Sequence, residues 1–275
     1  MQPSAGGQQK IALPGVKTVL AIASGKGGVG KSTTAANLAL AIHMHGNRVG
    51  LVDADIYGPS IPRMMGVPGI VDQSTTRLPI ERYGLKLMSM GFLVPPTQAV
   101  IWRGPMVHKA ITGFLTDPNI DWGELDYLLV DLPPGTGDAQ LTLSQTIALS
   151  GALIITMPQE VSQTVAHRGL EMFRQVRVPV VGIVENMSYF VNEDGKRYEI
   201  FRHGGGRKLA AETAVPFLGE IPIDPRVAEC SDTGEPMVRK YPDSLVAKAY
   251  LDLATTVIHE LQKATPEAPL PVLQL

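Results

Sequence analysis

The 275-residue sequence contains a single cysteine, Cys230. One thiol cannot close an internal disulfide, and it cannot complete a zinc or iron–sulfur site that needs several cysteines of one chain. Aromatic residues are also scarce, at 5%, whereas the chain has 28 glycines and 22 prolines. The sequence therefore predicts an aliphatic core whose elements are joined by many tight turns.

Neither sign of charge is in large excess, because 24 basic and 26 acidic residues give a formal net charge of −2. This balance excludes a general basic field for nucleic acid and an acidic disordered chain. Hydrophobic runs are short: Leu38–Ile42 and Ala152–Ile155 are far below the ~20 residues that span a bilayer. The polar start of the chain has no apolar signal segment. We therefore expect a cytoplasmic protein with neither nucleic acid nor a membrane as partner.

Short runs of Val, Ile and Leu alternate with helical patterns along the chain. This alternation predicts an α/β fold, with a doubly wound, mostly parallel sheet and helices on both faces. The predicted strands are Thr18–Ala23, Arg48–Asp53, Leu85–Ser89, Tyr127–Asp131, Ala152–Met157, Pro179–Glu185 and Phe217–Glu220. The predicted helices are Lys31–His45, Gly137–Leu149, Val161–Val176, Gly205–Thr213 and Leu245–Leu261.

The chain shows no internal repeat and no clean linker, so we predict one domain over residues 17–263. A flexible N-terminal arm is expected over residues 1–16, and a flexible proline-rich tail over residues 264–275. Two stretches, Gly58–Arg82 and Phe190–His203, fit the α/β pattern poorly because the first is rich in Pro and Gly and the second is polar.

The stretch from Gly25 to Ser32 matches the phosphate-loop pattern G-x-x-x-x-G-K-[ST]. An apolar run leads into it and a helical run leaves it, which is the setting that such a loop requires. Glycines let the backbone wrap around a phosphate, and successive N–H groups and the helix N-terminus then point at the anion. The residues predicted to bind the nucleotide here are Gly25, Gly27, Gly28, Val29, Gly30, Lys31, Ser32 and Thr33.

Two lysines of the loop have different expected roles. Lys31 is predicted to reach the β- and γ-phosphates, while the Ser32 hydroxyl is predicted to ligate Mg²⁺. Lys26 is a second lysine, which an ordinary phosphate loop does not require. It is either a solvated side chain or a source of extra charge for the γ-phosphate across a dimer interface, as an arginine finger works in trans.

Acidic side chains stand at the ends of two predicted strands. Asp53 and Asp55 follow the second strand, where two acids can approach the magnesium ion and the attacking water, or where one of them caps the next turn. Asp131 ends a Walker B-like strand and is positioned to hold Mg²⁺ through water. Asp138, in the Gly-rich loop after it, either senses the γ-phosphate or caps the next helix.

Asn186 ends a further predicted strand at the same edge of the sheet. Its side-chain amide offers a donor and an acceptor to a purine base. The alternative is that this asparagine only shapes the turn that follows the strand.

The stretch Lys26–Ser32 resembles the deviant Walker A motif, with its signature lysine, of the SIMIBI-class ATPases such as ParA, MinD and the nitrogenase iron protein. Further motifs are similar to those of the Mrp/ApbC/NUBPL branch, the ATP-dependent iron–sulfur cluster carriers, and the resemblance covers roughly residues 14–262. These motifs are Asp53–Ser60, Met88–Phe92, Trp102–Pro105, Asp131–Asp138, Glu185–Ser188 and Ser231–Gly234.

The resemblance implies a homodimeric P-loop ATPase that uses ATP and Mg²⁺ and works with iron–sulfur clients or assembly proteins. It implies that Lys26 reaches the partner's nucleotide and that Asp55 helps to place the attacking water. It also implies that Asn186 contacts the adenine and that Pro222 lies near the base. The expected catalytic residues are Lys26, Lys31, Asp55 and Asp131, and the expected metal-binding residues are Ser32, Asp53 and Asp131.

The sequence departs from this family where the carriers have C-x-x-C, because Asn192 and Gly195 stand about where the cysteines would be. In the family a cluster bridges two subunits through two thiolates from each, and neither Asn nor Gly supplies a thiolate. Cys230 would give a dimer two thiols and is more typical of a small buried residue. We therefore expect this chain to bind an iron–sulfur cluster only by a variant route, for example with help from cysteines of a partner protein.

The motifs and the missing cysteines leave three candidate functions. The first is an ATPase of the Mrp family that acts in iron–sulfur cluster assembly or transfer. The alternative is a ParA/MinD-like positioning or adaptor switch that binds no cluster. Against a MinD-like role, Leu251–Lys263 has one lysine and two acids, whereas membrane-binding helices are basic. The third, a non-catalytic scaffold that binds nucleotide, is disfavoured because the residues needed for hydrolysis are all present, namely Lys31, Ser32, Asp55 and Asp131.

Overall fold

The computed structural model describes residues 10–55, 58–67, 71, 78–92, 112, 113, 115, 117 and 120–264. The strands in this part of the chain are β1 (Val16–Ser24), β2 (Val49–Asp53), β3 (Ile80–Arg82), β4 (Leu85–Ser89), β5 (Leu125–Asp131), β6 (Gly151–Thr156), β7 (Val180–Val191), β8 (Arg197–Tyr198) and β9 (Phe217–Ile223). The helices are α1 (Lys31–Met44), α2 (Ile61–Met64), α3 (Asp138–Thr146), α4 (Glu160–Gln175), α5 (Gly205–Thr213), α6 (Arg226–Thr233), α7 (Met237–Lys240) and α8 (Leu245–Ala264).

These strands form one sheet in the order β3-β4-β2-β5-β1-β6-β7-β8, with β9 also paired to β7. β3 and β8 run antiparallel to their neighbours, and the other pairings are parallel. β2 and β6 are buried along their whole length, as strands covered on both faces must be. The structure therefore confirms the α/β class and the mostly parallel sheet.

The strand register gathers the predicted functional residues at one edge of the sheet. Asp131 at the end of β5 lies beside Ile22 of β1 and beside Asp53 of β2. On the other side of β1, Ser24 pairs with Ile155 of β6. Since the carboxyl ends of parallel strands share one edge, the loops that leave β1, β2 and β5 meet there.

The two stretches that fit the sequence pattern poorly contain short elements. Gly58–Arg82 holds α2 and β3, although residues 68–70 and 72–77 lie outside the described residues. Phe190–His203 continues β7 to Val191, turns, and returns as β8. The short helices α6 and α7 are also elements that the hydrophobic pattern did not predict.

The predicted flexible arm over residues 1–16 is corrected for residues 10–16. The Ile11 N–H donates to the Thr146 carbonyl at 2.8 Å, and the Ala148 N–H donates to the Ile11 carbonyl at 3.0 Å. Leu13 is buried in the core, and Val16 begins β1. These contacts anchor the segment to the domain, while residues 1–9 and residues 265–275 of the predicted tail lie outside the described part of the chain.

No helix in the described ranges is both long enough and apolar enough to cross a bilayer.

Gly182 tests the packing between β7 and β9. A Cβ atom at this position would lie 2.2 Å from Cγ of Leu218, which is buried. We expect Gly182→Ala to lower the free energy of unfolding by about 1–3 kcal/mol, because the leucine must leave its rotamer or the strands must separate. Chemical denaturation without nucleotide measures this difference.

The control for that measurement is Gly58→Ala, because a Cβ atom there would meet no atom of the described residues within 4 Å. Its free energy of unfolding should stay within about 0.5 kcal/mol of the parent value. Equal stability of the two variants would contradict the proposed packing constraint.

Candidate functional site

The phosphate loop joins β1 to α1 at the carboxyl edge of the sheet. Gly28 and Gly30 have φ values of +78° and +82°, which residues with a Cβ atom rarely adopt. Gly30 precedes α1, and no side chain caps that helix N-terminus. A Cβ atom at Gly27 or Gly28 would meet nothing within 4 Å. The loop therefore leaves open space beside a helix N-terminus, which is a suitable place for an anion.

The loop rests directly on the backbone of α4. A Cβ atom at Gly25 would lie 2.4 Å from the carbonyl carbon of Val165 and 2.6 Å from the nitrogen of Ala166. Only glycine allows this approach, because the obstructing atoms are backbone atoms that cannot rotate away. The sequence motif did not predict that α4 supports the site. The first glycine of the motif, Gly25, was the residue that could have indicated such a close contact.

Lys31 and Asp131 form a buried ion pair at the centre of the site, with Nζ and Oδ1 2.5 Å apart. The same ammonium group donates to the Ser32 hydroxyl at 3.3 Å. In the described part of the chain, Oδ2 of Asp131 is buried and has no hydrogen-bond partner. Burial raises the pKa of Asp131, and the charge of Lys31 partly opposes that rise.

Asp53 organises the chain that follows β2. Its carboxylate is fully buried. Burial, followed by the charge of Asp131, raises its pKa to about 7. The donors to its two oxygens are the N–H groups of Asp55 (3.1 Å), Ser60 (2.9 Å) and Ile61 (3.0 Å) and the hydroxyl of Ser89 (3.3 Å). Ligation of Mg²⁺ by Asp53 stays a prediction, and it would have to compete with these bonds.

Asp55 and Lys26 are the two predicted catalytic residues nearest to solvent. The Asp55 carboxylate accepts a hydrogen bond from the Gly58 N–H at 3.3 Å, and its side chain is half-buried. Lys26 is also half-buried, and its ammonium group forms no hydrogen bond or ion pair with any described residue. Both interpretations of Lys26, a solvated side chain and a group that acts across an interface, remain open.

Asn186 binds the phosphate loop. Its side chain is buried, and Nδ2 donates to the Val29 carbonyl at 2.8 Å. A Cβ atom at Gly30 would lie 2.1 Å from that nitrogen. Asn186 pairs in register with Ile221 of β9, so it lies beside the buried Pro222 on the neighbouring strand. The two residues predicted to contact the base thus lie on neighbouring strands, and contact of either with adenine stays a prediction.

The segment that lacks the two cysteines folds into a tight turn between β7 and β8. The Lys196 N–H donates to Oδ1 of Asn192 at 2.8 Å, and the Gly195 N–H donates to the Asn192 carbonyl at 3.0 Å. Gly195 has a φ value of +77°, which would strain a cysteine. Side-chain and backbone bonds of Asn192 thus close this turn.

Cys230 lies elsewhere, on α6. Its side chain is buried, and Sγ is 3.7 Å from Sδ of Met237. Burial raises the pKa of the thiol, which disfavours the thiolate form that binds metals. This supports the expectation that Cys230 is a core residue.

Comparisons with known proteins agree with the sequence motifs. Residues 15–258 match the ParA family described as NUBPL iron-transfer P-loop NTPase. The iron–sulfur cluster carrier protein of Aquifex aeolicus is 51% identical over 247 residues, which cover 88% of this chain and 67% of that protein. The iron–sulfur cluster transfer protein NUBPL of Mus musculus is 50% identical over 260 residues, which cover 93% of this chain and 81% of that protein.

Two solved structures illustrate the fold. The nucleotide-binding protein of Archaeoglobus fulgidus, in complex with ADP and with cobalt found in it, is 41% identical, has a TM-score of 0.68, and covers 80% of this chain and 87% of its own. The cell division ATPase MinD of Pyrococcus furiosus is 22% identical, has a TM-score of 0.65, and covers 90% of this chain and 99% of its own, a likeness of fold alone. Given the family match over residues 15–258, the chain belongs to the Mrp/NUBPL family of iron-transfer P-loop NTPases.

Proposed function

We propose that this chain is an ATP hydrolase that works as a homodimer in iron–sulfur cluster assembly or transfer. The observation that carries the hydrolase part is the buried Lys31–Asp131 pair, which leaves one oxygen of Asp131 without a partner among the described residues. A buried carboxylate oxygen is costly without a donor or a cation. A cation beside Asp131 would remove that cost.

The open loop fits a nucleoside triphosphate. The backbone N–H groups of Gly27–Thr33 and the ammonium of Lys31 would hold the phosphates. The Ser32 hydroxyl and Oδ2 of Asp131 would hold Mg²⁺, directly and through water respectively, and the ion neutralises phosphate charge when bound. The ADP complex of the Archaeoglobus fulgidus relative supports nucleotide binding.

Lys31 changes its partner in this proposal. Its ammonium neutralises Asp131, at 2.5 Å. A bound triphosphate attracts the same ammonium more strongly, because it concentrates several negative charges at the helix N-terminus. Asp131 then becomes available to a second cation. Asp55 orients the attacking water, whose oxygen bonds to the γ-phosphorus as the bond to the ADP oxygen breaks, giving ADP and inorganic phosphate.

Replacement of Lys31 tests the proposed hydrolysis. We expect Lys31→Ala to lower the ATP hydrolysis rate by about 100-fold or more, because it removes a cation from the charge that develops during phosphoryl transfer. Phosphate release at saturating MgATP measures the rate.

Lys17→Ala is the matched control, since Lys17 is an exposed lysine paired with Asp126 at the start of β1, away from the site. Its hydrolysis rate should equal that of the parent chain. Normal turnover in Lys31→Ala would refute the assigned role.

Lys26 is proposed to act on the nucleotide of the partner subunit, and its ammonium has no partner among the described residues of its own chain. We expect Lys26→Ala to hydrolyse ATP poorly while still binding it. Mixing it with Lys31→Ala, which is also inactive, should restore part of the activity. In the mixed dimer, the Lys26→Ala subunit supplies an intact phosphate loop, and the Lys31→Ala subunit supplies the Lys26 that acts on the nucleotide bound there.

Hydrolysis measured as a function of the mixing ratio tests this prediction. Activity should peak when the two variants are present in about equal amounts, and Lys17→Ala mixed with Lys26→Ala serves as the control for dilution. If the mixture of the two inactive variants stays inactive while each still forms dimers, Lys26 does not act in trans.

The proposal that the cargo is an iron–sulfur cluster is supported by the names of two relatives, an iron–sulfur cluster carrier protein and an iron–sulfur cluster transfer protein. This chain offers only Cys230, which is buried. We therefore infer that thiolates of a partner protein hold the cluster during transfer. Anaerobic reconstitution of the chain alone should leave no acid-labile sulfide bound after desalting.

The double variant Asn192→Cys, Gly195→Cys places two thiols in the β7–β8 turn and is compared after its fold has been checked by circular dichroism, because Asn192 closes this turn and the positive φ at Gly195 strains a cysteine. Iron and acid-labile sulfide per chain are measured in the parent, the double variant and Cys230→Ser. A cluster that the parent retains and Cys230→Ser loses would contradict the inference, because it would make Cys230 a ligand.

A further inference from the structure

Three side chains with ligand atoms for metals meet at one end of β7 and β9. They are Glu185, His203 and Glu220, and one nitrogen or oxygen atom of each lies within 4.8 Å of the others. Glu185 and Glu220 are register partners on these parallel strands, so both project from the same face of the sheet. The next residue after Glu185 is Asn186, whose side chain points to the opposite face and to the phosphate loop. The cluster is thus separate from the nucleotide site.

The orientation of Glu185 is fixed by three donors. Its Oε1 accepts hydrogen bonds from the Ser188 hydroxyl at 2.6 Å and from the Gly204 N–H at 3.0 Å. Its Oε2 accepts one from the Gly206 N–H at 2.5 Å, which leaves this oxygen one acceptor position. The side chain is fully buried. Such outer hydrogen bonds orient the carboxylates that bind metals.

His203 is oriented between two carboxylates. Its Nε2 lies 3.1 Å from Oε1 of Glu220, and its Nδ1 lies 3.6 Å from Oε1 of Glu199. A carboxylate behind one ring nitrogen, with the other nitrogen directed at the ligand atoms, is the usual setting of a metal-binding histidine. Nε2 is hydrogen-bonded to Glu220 in this structure, so a metal ion would replace the proton between them, while Glu199 lies beyond hydrogen-bond distance of Nδ1.

Two arginines compete with a metal ion for Glu220. Arg197 Nη2 is 3.2 Å from Oε2, and Arg207 Nη2 is 3.5 Å from Oε1. Arg197 occupies the oxygen that faces away from His203, so Oε1 is the one that a metal would take. The Arg207 side chain is 66% exposed and its guanidinium also stacks on the Phe217 ring at 4.5 Å. Arg207 can therefore leave Oε1 and keep a favourable contact.

We propose that Glu185, His203 and Glu220 bind one divalent transition-metal ion of the Zn²⁺ class. Two carboxylates and a neutral imidazole carry a charge of −2, and with Arg197 still paired to Glu220 the net charge is −1, which still attracts a divalent cation. The imidazole favours transition metals over Mg²⁺ and Ca²⁺, which prefer oxygen ligands. Because the imidazole must lose its proton to bind, the affinity falls as the pH is lowered. The site offers no thiolate, so it takes a single ion and not a sulfide-bridged cluster.

The test is a Zn²⁺ titration of the tag-free chain without nucleotide, in competition with a chromophoric chelator, with Co²⁺ absorption as a second probe. We expect one ion per chain. His203→Ala and Glu220→Gln should each weaken binding by about 10-fold or more. Asp131→Asn should keep the parent affinity, because Asp131 belongs to the other site. His259→Ala is the matched control, since this exposed histidine also faces a glutamate, Glu260.

His203→Gln separates the metal from the hydrogen bond, because glutamine keeps a donor for Glu220. It should fold like the parent and still lose Zn²⁺. Zn²⁺ should also raise the unfolding temperature of the parent and not that of His203→Gln. The proposal is overturned if the parent takes up no Zn²⁺ at tens of micromolar, or if the His203 variants bind it as tightly as His259→Ala does.

Discussion

The nucleotide site depends on one buried cation that faces two buried carboxylates. Lys31 neutralises Asp131, while Asp53 lies close enough to Asp131 for their repulsion to raise the pKa of Asp53. Both carboxyl groups are buried, and because the pKa of Asp53 is raised to about 7, Asp53 is partly protonated near neutral pH and Lys31 neutralises Asp131. The oxygen of Asp131 that has no hydrogen-bond partner among the described residues is where the proposed cation would bind.

The order of strands in the sheet creates this arrangement. β5 lies between β1 and β2, so Asp131 comes between the phosphate loop and Asp53 although it follows them by many residues along the chain. Asp53 in turn uses its oxygens to hold the backbone of Ser60 and Ile61. A change of charge at Asp131 therefore reaches the backbone of Ser60 and Ile61 through the carboxylate of Asp53.

The parts of the fold that were predictable are those whose stability is local or periodic. Uninterrupted runs of Val, Ile and Leu identified the buried strands, and a glycine-rich motif identified the phosphate loop. Short elements were missed because tertiary contacts stabilise them: β8 has two residues, and Arg197 reaches both Glu220 and the Tyr189 ring. The hydrogen-bond partner of Asn186 could not be predicted from the sequence either. A side-chain amide can bind the edge of a base as well as a backbone carbonyl, and in the structure it contacts the Val29 carbonyl.

β7 carries consecutive residues that serve different sites on its two faces. Glu185 is held by the N–H groups of Gly204 and Gly206 at the start of α5, whereas Asn186 holds the phosphate loop through Val29. Because Glu185 and Asn186 are adjacent in β7, the hydrogen bonds that hold Glu185 also help to position Asn186 relative to the phosphate loop. The turn that replaces the two cysteines continues the same strand. The turn at Asn192 and Gly195 is therefore built on the strand that also carries Asn186.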